Sequence, residues 1–163
     1  MTRYNPEEIY KKALLKKVEN QSFFKRLTRM APRRLDDLVH KLHDEVFEEI
    51  DCLECANCCR SLGPRITDVD VNRISTAMKV KPIQLVTDHL HRDEDGDLVF
   101  NSMPCPFIDS ENCCVIYNDR PRACRDYPHT DRRRFYQVLP LTLKNSFICP
   151  AVFEIIERMK KRI

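Results

Sequence analysis

Four cysteines fall within the eight positions of the stretch CLECANCC: Cys52, Cys55, Cys58 and Cys59. Five more follow at Cys105, Cys113, Cys114, Cys124 and Cys149. The N-terminus, MTRYNPEEIYKKALLKK, lacks the apolar core of a secretory signal, so the chain is expected in the cytosol, where structural disulfides are rare. An odd cysteine count argues the same way, and a bridge between adjacent Cys58 and Cys59 would close a strained ring. A redox Cys-x2-Cys of the thioredoxin type would need a βαβ setting that the sequence does not suggest. Thiolate ligation of a metal is the better explanation. Cys-x2-Cys sets two sulfurs across one tight turn, and Cys58 adds a third from the same loop. A fourth must arrive from a remote segment, so distant parts of the chain are expected to converge. Such a centre contributes on the order of 10 kcal/mol, as much as the net stability of a small domain, and should organise the middle of the fold.

The rest of the chain reads as mainly helical. Asn5 suits an N-cap, Pro6 the first helical position, and Glu7 and Glu8 the positive end of the dipole, with Ile9, Ala13 and Leu14 as an inner stripe. The pattern breaks at Pro32. Leu35, Leu38, Val39, Leu42, Val46 and Ile50 then recur at helical spacing and lead directly into Cys52. Thr67 reads as the cap of a helix burying Val69, Ile74 and Met78, Pro82 starts another helix, and Asp95-Gly96 turns the chain into a strand. CVIY and RFYQVLPL read as further short strands. Pro150 opens a last helix with Val152, Phe153, Ile156 and Met159 on one side. These elements predict a mainly α fold with a small irregular α+β, metal-centred middle, as a single compact domain. Residues 1–50 would form a helical pair packing on the core, 51–150 the cysteine-cluster core and 151–163 a C-terminal helix.

With glycines at 63 and 96 alone, no phosphate-cradling loop can be built, and the common hydrolase motifs are missing. No apolar run approaches the length of a membrane span, so no membrane partner is expected.

CLECANCC, then CPFIDSENCCVIYNDRPRACRDYP, then a later cysteine together resemble the CxxCxxCC cysteine-cluster family, also called YkgJ-like, over about residues 52–149. The resemblance implies a small zinc- or iron-chelating protein, and related clusters occur in flagellin lysine N-methylases. It places Cys52, Cys55, Cys58, Cys59, Cys105, Cys114 and Cys124 at family positions, with Cys149 as the eighth ligand. The family element Cys-x-Ile-Tyr selects Cys114 and leaves Cys113 as an extra buried thiol. The family often has glycine after its second cysteine. Ala56 stands there in this chain, which argues against a positive-φ turn at 56, although Asn57 tolerates one.

Three cysteines at Cys-x2-Cys-x2-Cys, with a distant Cys-Pro at 105 and at 149, are closer to iron–sulfur ligation than to paired zinc knuckles, although soft thiolates accept zinc as well. On an extended backbone Cys58 and Cys59 would point to opposite sides and serve different centres, or different metals of one centre. Arg120, Arg122, Arg125 and Asp126 surround Cys124, where cations would offset thiolate charge, or where Arg120 or Arg125 would bind an anion. His40, His43, His89 and His91 read as solvated, and His129 as the best non-cysteine ligand or proton carrier. The run Arg132, Arg133, Arg134 beside Phe135 and Tyr136, with Lys160, Lys161 and Arg162, would suit RNA or a protein partner. Three functional classes therefore stand beside plain metal binding: a metal-shaped RNA- or protein-binding module, a metalloenzyme and a metal chaperone.

Overall fold

The computed structural model describes residues 4–163. It is mainly helical with a small α+β part, the class the sequence leads to. The chain divides into two units, one formed by residues 1–55 with 128–163 and the other by residues 56–127.

Helices from both chain ends build the first unit. Asn5 caps α1 (Pro6–Leu15) by accepting the Glu7 N–H through its side chain at 3.0 Å. The helix is interrupted at Lys16 and continues as α2 (Lys17–Leu27). Ala13 is buried as expected, but Leu14 is exposed. α3 (Pro32–Glu49) starts at the proline that ends the preceding pattern, and buries Leu35, Val39, Leu42 and Val46 against α10 (Pro150–Arg162). Val152, Ile155, Ile156 and Met159 supply the facing side. Arg158 clamps this pair at its rim, donating to both Glu49 oxygens at 2.6 and 3.0 Å and to Glu154 at 3.0 Å. After α3, Asp51 accepts the Leu53 N–H at 2.8 Å and opens the short helix α4 (Cys52–Cys55).

RFYQVLPL is not a strand. Residues Phe135–Val138 form a 3-10 turn that runs into α9 (Leu139–Asn145). Phe135, Val138, Leu139 and Thr142 are the buried residues, which is helical and not alternating spacing. Asp36 on α3 accepts the N–H groups of Arg134 and Phe135 at 2.8 and 2.9 Å, filling the role of a cap. Pro140, unable to donate to a strand ladder, suits the first turn of that helix. No single helix among the described residues is long and apolar enough to cross a membrane. The bent pair Phe135–Asn145 and Pro150–Arg162 approaches that composition because it supplies core residues.

In the second unit, α5 (Asn57–Ser61) carries the vicinal cysteines, followed by α6 (Asp68–Met78) and α7 (Pro82–His89). β1 (Leu90–Arg92) pairs antiparallel with β2 (Leu98–Phe100), Leu90 opposite Phe100. Asp93 accepts the Asp95 and Asp97 N–H groups, and Gly96 takes φ 80°, closing the turn read from Asp95-Gly96. Val69 is 70% exposed, contrary to the expected inner face. The capping box turns Asp70 inward in its place: Thr67 and Asp70 exchange backbone and side-chain bonds, and Asp70, Val71, Ile74 and Ser75 are buried.

CVIY is also not a regular strand. Cys105–Val115 forms a tight hairpin-like turn with an isolated bridge between Ile108 and Cys114. Asp109 accepts the Glu111 and Cys113 N–H groups, and Asn112 takes φ 66°. The arms are too short for a ladder, and the chain leaves through a 3-10 turn at Tyr117–Asp119 into α8 (Arg122–Asp126).

Candidate metal centre

All nine cysteines are free thiols. The eight candidate ligands divide between the units: Cys52, Cys55 and Cys149 in the first; Cys58, Cys59, Cys105, Cys114 and Cys124 in the second.

The second unit brings its thiols together from four segments. The Cys105 N–H donates to the Cys59 carbonyl at 2.8 Å, tying the hairpin to α5. The hairpin sets Cys105 and Cys114 on facing arms, and α8 carries Cys124. Their charges reach one another. Cys124 is pushed up to about 12, first by burial and then by Cys105, Cys59 and Cys114. Burial raises Cys105 and Cys114 as well, with Cys59 adding to both. In contrast to these three, Cys59 moves down, to about 7, because the Cys58 thiol hydrogen-bonds to it and Arg120 and Arg60 stand near. The group therefore holds one readily ionised thiol beside three whose ionisation burial opposes and a cation would favour.

Cys58 and Cys59 do not lie on an extended backbone. They occupy the first turn of α5, where successive side chains are about 100° apart, and their Sγ atoms are 4.0 Å apart. Ala56, which begins this helix, adopts φ 46° and ψ 15°, so the left-handed turn discounted for a non-glycine residue is present. Ala56 is 5% exposed. The left-handed conformation costs an alanine about 1–2 kcal/mol, more than the roughly 0.5–1 kcal/mol of chain entropy that glycine adds. Ala56→Gly is accordingly expected to stabilise the protein by up to about 1 kcal/mol, read as a higher thermal midpoint of the metal-loaded form. An unchanged or lower midpoint would contradict the strain.

In the first unit, Cys149 packs at the edge of the apolar core. Burial, followed by the charges of Cys52 and Cys55, pushes it up to about 12. Cys52 is exposed. Cys113 is half-buried and its Sγ–H points to the Glu111 carbonyl at 3.9 Å, so it is not a core thiol. Cys114, the cysteine of the Cys-x-Ile-Tyr element, is one on which the Cys59 charge acts.

Among the described residues, no three His, Cys, Asp or Glu side chains already stand close enough to hold a metal ion. The donor chemistry nevertheless fits zinc or iron: four soft thiols converge from fixed backbone segments, beside a cation that limits the negative charge of a tetrathiolate. Ligation would require side-chain rotations that bring the sulfurs onto one ion.

Residues 51–144 match the family model CxxCxxCC, described as "Putative zinc- or iron-chelating domain". The chain belongs to the CxxCxxCC family. Metal binding is thus the general character of this CxxCxxCC domain. No curated protein and no solved structure matches the chain.

Several residues around this domain's thiols have roles the sequence did not disclose. Arg120, not Arg122, is the guanidinium that acts on Cys59, Cys114 and Cys124. It lies 3.8 Å over the Tyr117 ring, while Arg122 pairs with Asp126 at 3.3 Å. Asp70 and Arg73 bind the segment that leads to Cys124, and the signal for Asp70 was the capping box Thr-x-x-Asp. His40 and His43 are not simply solvated. His40 Nε2 donates to the Arg132 carbonyl at 2.9 Å, and His43 Nδ1 bonds the Thr130 hydroxyl at 2.8 Å. His89 stacks on Phe107 with ring centres 5.3 Å apart. His129 takes φ 68°. The Arg132, Arg133 and Arg134 side chains are exposed, whereas Lys160 pairs with Glu19 and Glu157, and Arg162 with Glu45.

Proposed function

We propose that this protein holds iron or zinc through cysteine thiolates and that the metal is a structural element of residues 56–127. Cys59, Cys105, Cys114 and Cys124 form a tetrathiolate centre, and Cys52, Cys55 and Cys149 contribute a second group of ligands. The observation that carries the reading is the convergence of four free thiols from separate segments, each felt electrostatically by its neighbours. Were all four ionised, the sulfurs would repel one another, and a bound cation is what would let them ionise together. The Cys-Pro pairs, at 105 in the first group and at 149 in the second, favour an iron–sulfur cluster over zinc. When bound, the group supplies fold energy through its sulfur bonds and, if iron, an electron-accepting centre. The chain's own part is to present the thiols, shield Cys124 in part from water and set Arg120 near them.

The deciding experiment is metal and acid-labile sulfide analysis of anaerobically purified protein, with its visible spectrum. A brown protein with sulfide and charge-transfer absorption supports the cluster. A colourless protein carrying zinc replaces it with a zinc centre, and protein free of both metals sinks the proposal.

A further inference from the structure

Asp70 is a buried carboxylate, 1% exposed, in a position unrelated to any apolar core requirement. Its Oδ2 accepts the Thr67 N–H at 2.9 Å and the Thr67 hydroxyl at 2.7 Å, which completes the α6 cap. Its Oδ1 does something else. It accepts the Arg122 backbone N–H at 3.0 Å, across 52 residues, at the first residue of the helix that carries Cys124. The same oxygen accepts Arg73 Nη2 at 2.5 Å. Arg73 in turn donates to the Arg120 carbonyl at 2.9 Å and to the Asp119 carbonyl at 3.4 Å. One ion pair, its carboxylate buried, thus holds backbone groups at 119, 120 and 122. That segment both starts α8 and orients Arg120 over Tyr117.

A helix cap alone would not need this arrangement. The cap is satisfied by the Thr67 contacts, and burying a charged pair to hold a surface turn is costly unless every donor and acceptor is used. Here four donors converge on one carboxylate, and the guanidinium reaches two carbonyls beyond it. α8 spans only Arg122–Asp126, too short to hold its own place.

We infer that the Asp70–Arg73 pair is the positioning device of the tetrathiolate centre, fixing Cys124 and the Arg120 cation relative to Cys59, Cys105 and Cys114. The inference rests on the metal-binding reading above. Asp70 and Arg73 touch no metal; they act through the backbone of residues 119–122.

The test is a double-mutant cycle on the full chain, loaded with cobalt(II), whose thiolate charge-transfer bands report the number of bound sulfurs. Asp70→Asn is expected to weaken cobalt binding by about 10–100-fold, the usual cost of losing a support of a metal ligand, and to lower the charge-transfer intensity as Cys124→Ser does. In a Cys124→Ser background, Asp70→Asn should cost little more, because the ligand it positions is already gone. Ile74→Val separates the stability of α6 from positioning: it loosens the packing of the same helix, removes no hydrogen bond of the Asp70–Arg73 pair, and should leave the cobalt spectrum intact. Should Asp70→Asn fail to fold, Arg73→Lys decides by the same cycle, since it keeps the charge and drops the fork that spans two carbonyls. Additive effects of Asp70→Asn and Cys124→Ser, or an Ile74→Val spectrum as altered as that of Asp70→Asn, would overturn the inference while leaving metal binding standing. A wild-type protein without thiolate charge-transfer bands would overturn the metal-binding reading itself.

Discussion

Removing the metal is expected to raise amide hydrogen exchange across residues 101–127 on the order of a hundredfold or more, while α3 and α10 keep their protection. The two regions differ in what else holds them. Residues 101–127 contribute two side chains, Phe107 and Ile116, to the buried apolar cluster of their unit. At about 1.5–3 kcal/mol for each buried side chain, these supply a few kcal/mol. Ordering the segment costs about 1 kcal/mol or more per residue, and its regular structure amounts to a bridge, a 3-10 turn and the five residues of α8. Thiolate–metal bonds, worth on the order of 10 kcal/mol, would be the largest single contribution to holding the segment in place. By contrast, α3 and α10 face each other across Leu35, Val39, Leu42, Val46, Val152, Ile155 and Ile156, with no thiol required. Exchange measured by mass spectrometry with and without chelator checks this. Equal protection of 101–127 in both states would mean that the metal does not hold the segment.

The second large effect is the pH dependence of metal uptake. Binding needs thiolates, so each ligand still protonated in the free protein releases its proton on ligation and adds about one decade of affinity per pH unit. Near pH 7, Cys124 at about 12 and the raised Cys105 and Cys114 are thiols, and Cys59 at about 7 is half ionised. The tetrathiolate set should therefore gain about three decades of affinity for each unit that pH rises around neutrality. Zinc competition titrations at pH 6.5 and 7.5, with about half a unit on either side of neutrality, would show the slope. A slope below about one decade per unit would rule out ligation by these thiols. The metal-free protein should behave in the opposite sense at alkaline pH. Cys124 and Cys149 stay protonated in the fold to about 12, whereas unfolded thiols ionise near 9.0. The unfolded chain then binds fewer protons, so stability falls as pH rises from 9.0 towards 12.

Much of the helical framework was legible from local chemistry. Asn5 and Pro6 set the start of α1, Pro32 and Pro150 the starts of α3 and α10, and the apolar spacing from Leu35 to Val46 the buried face. The strands failed where a period was misread. Phe135, Val138, Leu139 and Thr142 carry helical spacing, and the Asp36 side chain that caps them lies 99 residues from Phe135, beyond any local signal. Val69 was misplaced because the buried position on that face belongs to a carboxylate, Asp70, whose partners lie at Thr67, Arg73 and Arg122.

Residue type and spacing alone determined that thiols are the candidate ligands of this chain and where the main helices begin, and the resemblance to the family element Cys-x-Ile-Tyr singled out Cys114 over Cys113. Only the tertiary structure decided how the thiols group: Cys59 with Cys105, Cys114 and Cys124 in one unit, Cys149 with Cys52 and Cys55 in the other. It also decided that Ala56 bears a left-handed turn and that Arg120 is the neighbouring cation. The physical reason is range. Caps and periodicity are set within a few residues, whereas grouping sulfurs and burying Asp70 depend on contacts across roughly 50 positions, which no short stretch of letters encodes.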